Sequence, residues 1–431
     1  MLEIQGATVL VVGMAKSGVA AAELLSRHGA RVIGCDANPW SAPLATLKEF
    51  RLQSPAAFEG VDLIVLSPGV PVDVVPPGIR TPVIGELELA SRFLRGQTIG
   101  ITGSNGKTTT TSMVFHILRE SGIPSQLGGN IGTPPTAMID TSFDEQWNVF
   151  ELSSFQLETI HEFSAHIAVC LNVTPDHLDR HKTLEGYAAA KRRLFETQTN
   201  KDYAVLNADD TICSSFAAHA KSKAIWFSLR TKADWWLDGD TLRHESRILM
   251  EAREIPVRGR HNVENTLAAA AAAHLAGAKP AQIRSAVMTF RAVEHRLEFV
   301  REWNGVSFYN DSKATNVDAA LKAVDAFDGG LWIILGGKDK GSDYSSLREA
   351  LKNKARAALL IGAAAEKIAA QLGGAVPIIQ ASTLDNAISL ATKKAHPGDT
   401  VLLAPACASF DQFENYEHRG RVFKNIVRSL L

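Results

Sequence analysis

The segment Thr98-Ile-Gly-Ile-Thr-Gly-Ser-Asn-Gly-Lys-Thr-Thr109 lies near the end of the first quarter of a 431-residue chain. An apolar β-forming run enters a turn containing Gly103 and Gly106, and Lys107-Thr108 begin a helix-forming stretch. Glycines let backbone N–H groups point at phosphate oxygens, a lysine neutralises their charge, and a threonine hydroxyl is a ligand for Mg²⁺. The standard pattern has glycine five positions before Gly106, where this chain has isoleucine. The segment predicts a nucleoside triphosphate loop; the alternative is an ordinary strand–turn–helix with a chance Gly-Lys-Thr.

Length and composition limit the class of protein. A chain of 431 residues is long enough for about three domains. With 45% hydrophobic and 21% charged residues, it has the composition of a soluble globular protein. A net charge of -1 gives no general attraction to nucleic acid or to an anionic membrane. No apolar run reaches the ~20 residues of a membrane span, so neither partner is expected.

The four cysteines, Cys35, Cys170, Cys213 and Cys407, are far apart in sequence and show no paired spacing. This pattern is typical of buried thiols in a reducing compartment rather than of a disulfide framework or a zinc site. We therefore expect a cytoplasmic protein.

The first segment, residues 1–92, alternates β and α patterns. Strands are predicted at Thr8–Val12, Arg31–Gly34 and Asp62–Leu66, with a helix at Val19–Ser26. Ligands of such units bind at the carboxyl ends of the strands, which here carry the Gly13–Gly18 turn, Asp36 and Ser67-Pro68-Gly69. A dinucleotide fingerprint is broken because Ala15 replaces its middle glycine. One nucleoside diphosphate is the favoured ligand; a Rossmann-type unit without a ligand is the alternative.

The second segment, residues 93–296, has charged side chains after its apolar strands. Trp147–Phe150 is followed by Glu151, and His166–Val173 is followed by Asp176-His177. Such groups beside a phosphate loop are suitable metal ligands. A β-leaning patch, residues 224–257, precedes a helix predicted at 262–276. Asn262 and Asn265 lie on one face of that helix; for Asn262, helix cap and ligand are equally favoured.

The third segment, residues 297–431, again alternates. Strands are predicted at Val306–Tyr309, Leu331–Leu335, Ala358–Ile361, Val376–Ile379 and Thr400–Ala404. Polar loops follow several of them: Asn310–Asn316, Gly336–Lys340 and Ala406–Asp411. The predicted fold is therefore α/β with three domains: a Rossmann-like N-terminal domain, a central P-loop ATPase-type domain and a Rossmann-like C-terminal domain.

Together the motifs resemble the Mur ligase family over essentially the whole chain. The family-wide motifs are the glycine loop, Glu151-Leu-Ser-Ser-Phe-Gln, Asn172-Val-Thr-Pro-Asp-His-Leu-Asp179, His261-Asn-Val-Glu-Asn265 and Glu294-His-Arg296. Two segments discriminate among the amino acids that the family adds, namely Asn310-Asp-Ser-Lys-Ala-Thr-Asn316 and Pro405-Ala-Cys-Ala-Ser-Phe-Asp-Gln-Phe413. The resemblance implies an ATP-dependent amide ligase of peptidoglycan precursor synthesis, a monomer whose substrates are ATP, UDP-N-acetylmuramoyl-L-alanine and D-glutamate.

The resemblance also implies roles for individual residues. For ATP it implies Gly103, Ser104, Asn105, Gly106, Lys107, Thr108, Thr109, Asn262, Asn265, Arg296, Asp311 and Lys313. For the UDP substrate it implies Ser17, Gly18, Asp36, Ser67, Pro68, Gly69, Asn105, Asn130 and His177. For D-glutamate it implies Thr315, Lys340, Ser409 and Phe410, with Lys338 as a competing candidate for Lys340. The implied catalytic residues are Lys107, Glu151, His177, Lys191 and Lys313.

Two Mg²⁺ ions are implied, with Thr108, Glu151, His177 and a carbamylated Lys191 as ligands. Adding CO₂ would turn the lysine from a cation into an anion that can help to hold the metal. The alternative is an ordinary solvated lysine on a helix spanning residues 182–198. The base that deprotonates the amine of D-glutamate stays unassigned.

Three other functions compete with this hypothesis. A folylpolyglutamate synthetase-like ligase needs no UDP-binding first domain, and the β–α pattern ending at Asp36 argues against it. An ATP-hydrolysing switch would show ATPase activity without an amino acid substrate. A UDP-sugar-binding protein with a degenerate ATP site would not need intact Lys107, Thr108, Glu151 and His177.

Overall fold

The computed structural model describes residues 4–40, 45–291 and 293–430. Within them the chain forms three sheets, each associated with helices, so the predicted α/β class is confirmed. The chain divides into two compact units, Met1–Ala252 with Glu264–Val287, and Arg253–Val263 with Met288–Leu431. The division into three domains after residues 92 and 296 stays a prediction.

The first sheet of the described chain has five strands, all parallel, in the order β3-β2-β1-β4-β5. Its strands are β1 (Thr8–Val12), β2 (Arg31–Asp36), β3 (Leu47–Leu52), β4 (Leu63–Leu66) and β5 (Val83–Gly85), and its helices are α1 (Lys16–Arg27) and α2 (Glu86–Ser91). The three predicted strands and the helix are present. Two strands are not predicted from the sequence: β3, an edge strand with charged side chains, and β5, which has three residues.

The second sheet carries the glycine loop and has nine strands among the described residues, in the order β14-β13-β12-β11-β10-β9-β6-β8-β7. They are β6 (Gln97–Thr102), β7 (Ser125–Gly129), β8 (Trp147–Glu151), β9 (Ile167–Cys170), β10 (Tyr203–Asn207), β11 (Lys223–Ser228), β12 (Trp235–Asp238), β13 (Thr241–His244) and β14 (Arg247–Glu251). The pairings of β12 with β13 and of β13 with β14 are antiparallel, and the other pairings are parallel.

The helices of this part of the chain are α3 (Lys107–Glu120), α4 (Ser154–Leu157), α5 (Leu178–His181), α6 (Leu184–Glu196), α7 (Thr211–Ser215), α8 (Arg260–Leu275) and α9 (Pro280–Thr289). The strand predicted at His166–Val173 is shorter and spans Ile167–Cys170. Two predicted helix starts were also wrong. The helix predicted from residue 182 begins at Leu184, because the Thr183 side chain caps it by accepting the Gly186 N–H at 3.1 Å. The helix predicted from Asn262 begins at Arg260, which places Asn262 inside its first turn rather than at the cap.

The third sheet has six strands among the described residues, in the order β15-β16-β20-β17-β18-β19, parallel except for the pair β15 and β16. They are β15 (Glu298–Trp303), β16 (Val306–Asn310), β17 (Leu331–Gly336), β18 (Ala355–Ile361), β19 (Ile378–Ser382) and β20 (Thr400–Leu403). The helices are α10 (Val317–Asp325), α11 (Arg348–Lys354), α12 (Ala365–Leu372), α13 (Leu384–Lys394) and α14 (Tyr416–Arg428). The strand β15 is not predicted from the sequence, and β19 begins two residues later than predicted.

The central strands position the polar loops. Every residue of β17 and β20 is buried, because helices cover both faces of a parallel sheet. The chain then becomes polar at the carboxyl ends of these strands, where the Gly336–Lys340 and Ala406–Asp411 loops begin. In the described part of the chain, no helix combines the length and the apolar character needed to cross a bilayer.

Candidate active site

The glycine loop connects β6 to α3 as the sequence predicts. Gly103 and Gly106 adopt φ angles of 149° and 86°, which L side chains rarely adopt. A Cβ on Gly106 would lie 2.3 Å from the Asn265 side-chain oxygen, so this position needs glycine for space as well as for conformation. The structure thus brings Asn265 beside the loop. Thr108 is buried in the first turn of α3, and the positive end of a helix dipole favours an anion there.

The segment after β9 holds the loop in shape. The Asn105 N–H donates to the Asn172 side-chain oxygen at 2.8 Å, and the Asn172 amide donates back to the Asn105 carbonyl at 3.1 Å. The Ser104 hydroxyl donates to the Thr174 carbonyl and accepts the Thr174 N–H, both at 2.9 Å. These mutual hydrogen bonds hold the glycine loop through the protein's own residues.

Two lysines converge on the loop carbonyls. Lys107 Nζ donates to the Gly103 and Ser104 carbonyls at 2.8 and 2.9 Å, and Lys191 Nζ donates to the Gly103 carbonyl at 2.9 Å. Lys191 is only 1% exposed and its Nζ lies 4.3 Å from the centre of the Tyr187 ring. Burial, with Lys107 nearby, lowers the pKa of Lys191 to about 7. The alternative of a solvated lysine was therefore wrong.

A carboxylate lies at the end of β8. Glu151 is buried, and its Oε1 accepts the Asn130 amide at 2.8 Å, while its carbonyl accepts the Asn130 N–H at 2.8 Å. Among the described residues, no three His, Cys, Asp or Glu side chains come together as a metal site of their own. The oxygens of Glu151 and Thr108 are nevertheless the ligand type that Mg²⁺ prefers, and Mg²⁺ usually takes further ligands from phosphates and water. The residues present fit such an ion.

His177 precedes the single-turn helix α5. Its backbone is left-handed, with φ of 53°, and its N–H donates to the Asp176 carboxylate at 2.9 Å. The imidazole Nε2 lies 3.7 Å from the same carboxylate, and the side chain is 38% exposed. The imidazole is therefore accessible to a ligand.

The predicted nucleoside diphosphate residues of the first sheet are close together. The Ser67 hydroxyl donates to the Gly13 carbonyl at 2.6 Å, and the Asp36 carboxylate accepts the Met14 N–H at 2.8 Å. A Cβ on Gly18 would lie 1.9 Å from the Gly13 carbonyl oxygen, so glycine is required there. Ala15, which breaks the dinucleotide fingerprint, has an ordinary φ of -75°, so the turn needs no glycine at that position.

The remaining residues predicted for this ligand lie on the same elements. Ser17 is in the first turn of α1, half-buried, and Pro68 and Gly69 lie in the loop after β4, where Gly69 is exposed. The structure thus brings the three parts of the predicted site to one end of the sheet.

In the second unit, the segment after β16 meets the Glu294–Arg296 motif. The Lys313 N–H donates to the His295 carbonyl at 3.2 Å, and the Lys313 Nζ lies 5.2 Å from the centre of the Tyr416 ring. Burial raises the pKa of the Asp311 carboxyl to about 6, although Arg296 opposes this shift. Three residues predicted to contact ATP, Arg296, Asp311 and Lys313, are thus neighbours. Asn262 belongs to this unit and donates to the Arg258 carbonyl.

The loops predicted to contact D-glutamate are joined to each other. The Lys338 N–H donates to the Ala408 carbonyl at 2.9 Å, and the Ala408 N–H donates back at 3.2 Å. The Tyr344 hydroxyl donates to the Asp339 carboxylate at 2.8 Å and lies 2.9 Å from the Cys407 thiol. These contacts bring the segments around Lys340 and Ser409 together.

The side chains of these loops differ in exposure. Lys338, Lys340 and Phe410 are exposed, Thr315 is half-buried and Ser409 is buried. Exposure therefore does not choose between Lys338 and Lys340.

Arg419 is a residue that the sequence analysis missed. It is fully buried on α14, and its guanidinium donates to the Ser312 hydroxyl at 3.0 Å, the Ser312 carbonyl at 2.8 Å and the Cys407 carbonyl at 3.2 Å. Burial lowers its pKa to about 10. It therefore joins the segments Asn310–Asn316 and Pro405–Phe413, which the resemblance predicts to discriminate among amino acids. No local pattern marks it, because its partners are about a hundred residues apart.

Known proteins share both the sequence and the fold. The Mur ligase middle domain matches residues 101–273, and the Mur ligase glutamate ligase domain matches residues 295–407. A MurF ligase from Thermotoga maritima, solved in complex with ADP, has a TM-score of 0.64 at 17% identity, covering 99% of this chain and 96% of its own.

Two relatives named UDP-N-acetylmuramoylalanine--D-glutamate ligase match from end to end. The protein from Solibacter usitatus is 63% identical, covering 100% of this chain and 99% of its own length. The protein from Acidobacterium capsulatum is 53% identical, covering 99% and 97%. Since the glycine loop, the buried lysine and the joined C-terminal loops fall in a chain that matches these relatives throughout, the chain belongs to the Mur ligase family.

Proposed function

We propose that this protein joins D-glutamate to UDP-N-acetylmuramoyl-L-alanine in peptidoglycan precursor synthesis, converting ATP to ADP and phosphate. The observation that carries the proposal is the 63% identity, over the whole chain, to a relative that bears the name of this ligase. The glycine loop with its two lysines supports the phosphoryl chemistry. The joined loops around Lys340 and Ser409 support a separate amino acid site.

The chemistry proceeds in two steps. The terminal carboxylate of the UDP substrate attacks the γ-phosphorus of ATP, and the bond between that phosphorus and the bridging oxygen breaks. ADP is released, and the substrate carboxylate has become an acyl phosphate. The amine of D-glutamate, after losing a proton, attacks the activated carbonyl, and phosphate leaves the tetrahedral intermediate. Lys107 and the loop N–H groups offset the repulsion between the two anions of the first step.

Mg²⁺ would supply further positive charge at the phosphates, with Thr108, Glu151 and His177 as its ligands and two ions in the site. The buried Lys191 supports carbamylation, because a pKa of about 7 leaves about half of its amines neutral at pH 7, and only the neutral amine reacts with CO₂. The nitrogen bonds to the carbon of CO₂ and releases a proton, which leaves an anionic carbamate. That group would add a negatively charged metal ligand beside the loop.

The substrates are assigned by charge and position. Asp36 and the Ser67–Gly69 loop hold the uridine diphosphate, with Asn105 and Asn130 nearer the sugar. Lys340 faces the side-chain carboxylate of D-glutamate as a cationic partner. Arg296 and Lys313 contact phosphate charge, and Asp311 contacts the ribose or a metal-bound water.

An acyl phosphate hydrolyses in open water, so we infer that the C-terminal domain closes over the central one during the reaction. Small-angle X-ray scattering should show compaction when an ATP analogue and the UDP substrate are added together. An unchanged radius of gyration would argue against closure. We also infer a cytoplasmic monomer, because all its proposed substrates are soluble and the family resemblance implies a monomer.

The decisive experiment is phosphate release from ATP and Mg²⁺ in the presence of UDP-N-acetylmuramoyl-L-alanine. D-glutamate, L-glutamate, L-alanine and a diamino acid are tested in parallel. Release that needs D-glutamate supports the proposal. Release with another amino acid keeps the ligase chemistry but overturns the roles given to Thr315, Lys340 and Ser409. Phosphate release at the same rate with or without any of the amino acids favours an ATP-hydrolysing switch.

A further inference from the structure

His177 lies at the start of a segment that cannot hold its own shape. The helix α5 has four residues, and left-handed non-glycine residues bracket it, with φ of 53° at His177 and 67° at Lys182. A non-glycine residue is strained at a positive φ, and one helical turn is unstable by itself. The surrounding structure must therefore hold this segment in place.

The helix α4 provides part of that support. His181, the last residue of α5, lies with Nε2 2.9 Å from the Ser154 hydroxyl and with Nδ1 3.3 Å from the Glu158 carboxylate. Arg180 donates to the other Glu158 oxygen at 2.5 Å and stacks 4.5 Å above the Phe155 ring. The Glu158 carboxylate thus binds two consecutive side chains of α5 at once, and all of these polar groups are largely shielded from water.

The same guanidinium also reaches the first sheet. Arg180 Nη2 donates to the Val70 carbonyl at 3.2 Å, across 110 residues of sequence. Val70 directly follows the Ser67–Gly69 loop and packs on the Gly13 turn, where a Cβ on Gly13 would lie 2.5 Å from the Val70 side chain. One side chain therefore contacts both the support of His177 and the loop proposed to hold uridine diphosphate.

We propose that Arg180 and Glu158 are positioning residues that set the distance between the uridine diphosphate loop and His177. The inference rests on the proposed function. A UDP substrate must span from the first sheet to the glycine loop, so its reacting carboxylate is aligned only if both ends of its site keep a fixed separation. Arg180 fixes that separation because it binds the carbonyl next to one end and the carboxylate that anchors the other.

The test replaces Arg180 by methionine, which keeps an unbranched apolar stem and removes the guanidinium. KM for the UDP substrate should rise about tenfold or more, as expected for the loss of charged hydrogen bonds, and kcat should fall. KM for ATP should rise by less than KM for the UDP substrate, because the contacts described for Arg180 reach Val70 and Glu158 but not the glycine loop. Glu158→Gln should give the same pattern. KM for the UDP substrate should be little higher in the double variant than in either single variant, because both substitutions break the same Arg180–Glu158 ion pair.

Arg27→Met is the matched control. Arg27 also joins α1 to the central sheet's part of the chain, through an ion pair with Asp140 between β7 and β8. It lies at the end of α1 that is remote from the Gly13 turn. It should leave both KM values unchanged. Thermal unfolding of each variant, and the Kd for ATP, report whether the fold is intact.

Each outcome decides one point. A wild-type enzyme that releases no phosphate in response to D-glutamate refutes the proposed function. The inference is overturned if the wild type is active and Arg180→Met only lowers the fraction of active enzyme, with every KM unchanged. That result would show a merely structural role. An equal rise in KM for ATP and for the UDP substrate, or an Arg27→Met variant with the same defect, overturns it as well.

Discussion

Glu86 and Glu88 lie two residues apart on α2, both fully buried, and the same substitution should affect them in opposite ways. Glu86 Oε1 accepts the Thr136 N–H at 2.7 Å and its hydroxyl at 2.6 Å, whereas Oε2 has no hydrogen-bond partner among the described residues. Glu88 accepts three backbone N–H groups, those of residues 161–163, and the Arg92 guanidinium. Its charge is therefore compensated and that of Glu86 is not.

The pKa of Glu86 gives the size of the effect. Burial raises it from 4.5 to about 7, against the opposing hydrogen bonds from Thr136. Because the folded state holds this proton more tightly than the unfolded state, the contribution of Glu86 to stability is greatest below pH 4.5 and is lost as the pH rises to about 7. The loss amounts to about 3 kcal/mol. Glu86→Gln stays neutral, so it should recover about 3 kcal/mol at pH 8 and less than about half of that at pH 5.

Urea unfolding, followed by circular dichroism at pH 5 and pH 8, measures the free energy of unfolding directly. Glu88→Gln is the control: it should lose about 1–3 kcal/mol at both pH values, because it weakens charged hydrogen bonds and removes a buried charge that Arg92 and the backbone already compensate. The reasoning would be refuted by a Glu86→Gln variant that is destabilised at pH 8, or whose change in stability is the same at both pH values.

Three further predictions concern activity. If Lys191 is carbamylated, activity should fall when CO₂ is stripped from the buffer and return with bicarbonate, while Lys191→Ala should be inactive under both conditions. Gly106→Ala should weaken ATP binding at least about tenfold, measured by titration calorimetry, because its Cβ would lie 2.3 Å from the Asn265 oxygen and its φ is 86°. Tyr344→Phe keeps the ring but removes the hydroxyl contacts to Asp339 and Cys407, so KM for D-glutamate should rise several-fold in steady-state kinetics with KM for ATP unchanged. Tyr203→Phe, on β10 of the other unit, is the control and should leave both KM values unchanged.

The strands that the sequence predicts well are those buried on both faces. The five residues of β1 were predicted to the residue, and β17 and β20 to within one residue, because parallel strands between helices are continuous apolar runs. The edge strands β3 and β15 carry charged side chains on exposed positions, so their pattern resembles a loop. Local sequence cannot reveal such strands, since they are held by pairing with a neighbour rather than by their own apolar content.

The same distinction applies to the site. The positions of Lys107 after the glycine turn and of Glu151 at the end of a strand could be predicted, because the apolar strand or glycine turn lies within a few residues of each. The burial of Lys191 could not, because the residues that cover it are distant in sequence, and neither could the 2.9 Å contact between the Cys170 and Cys213 thiols. Arg180 was likewise missed, although it lies three residues after His177. A motif consists of residues that are close in sequence and predicts groups that contact a ligand. The groups that hold those residues in place are brought to them by tertiary packing. The latter are therefore visible only when the chain is folded, and they are where substitutions should change KM without removing any substrate contact.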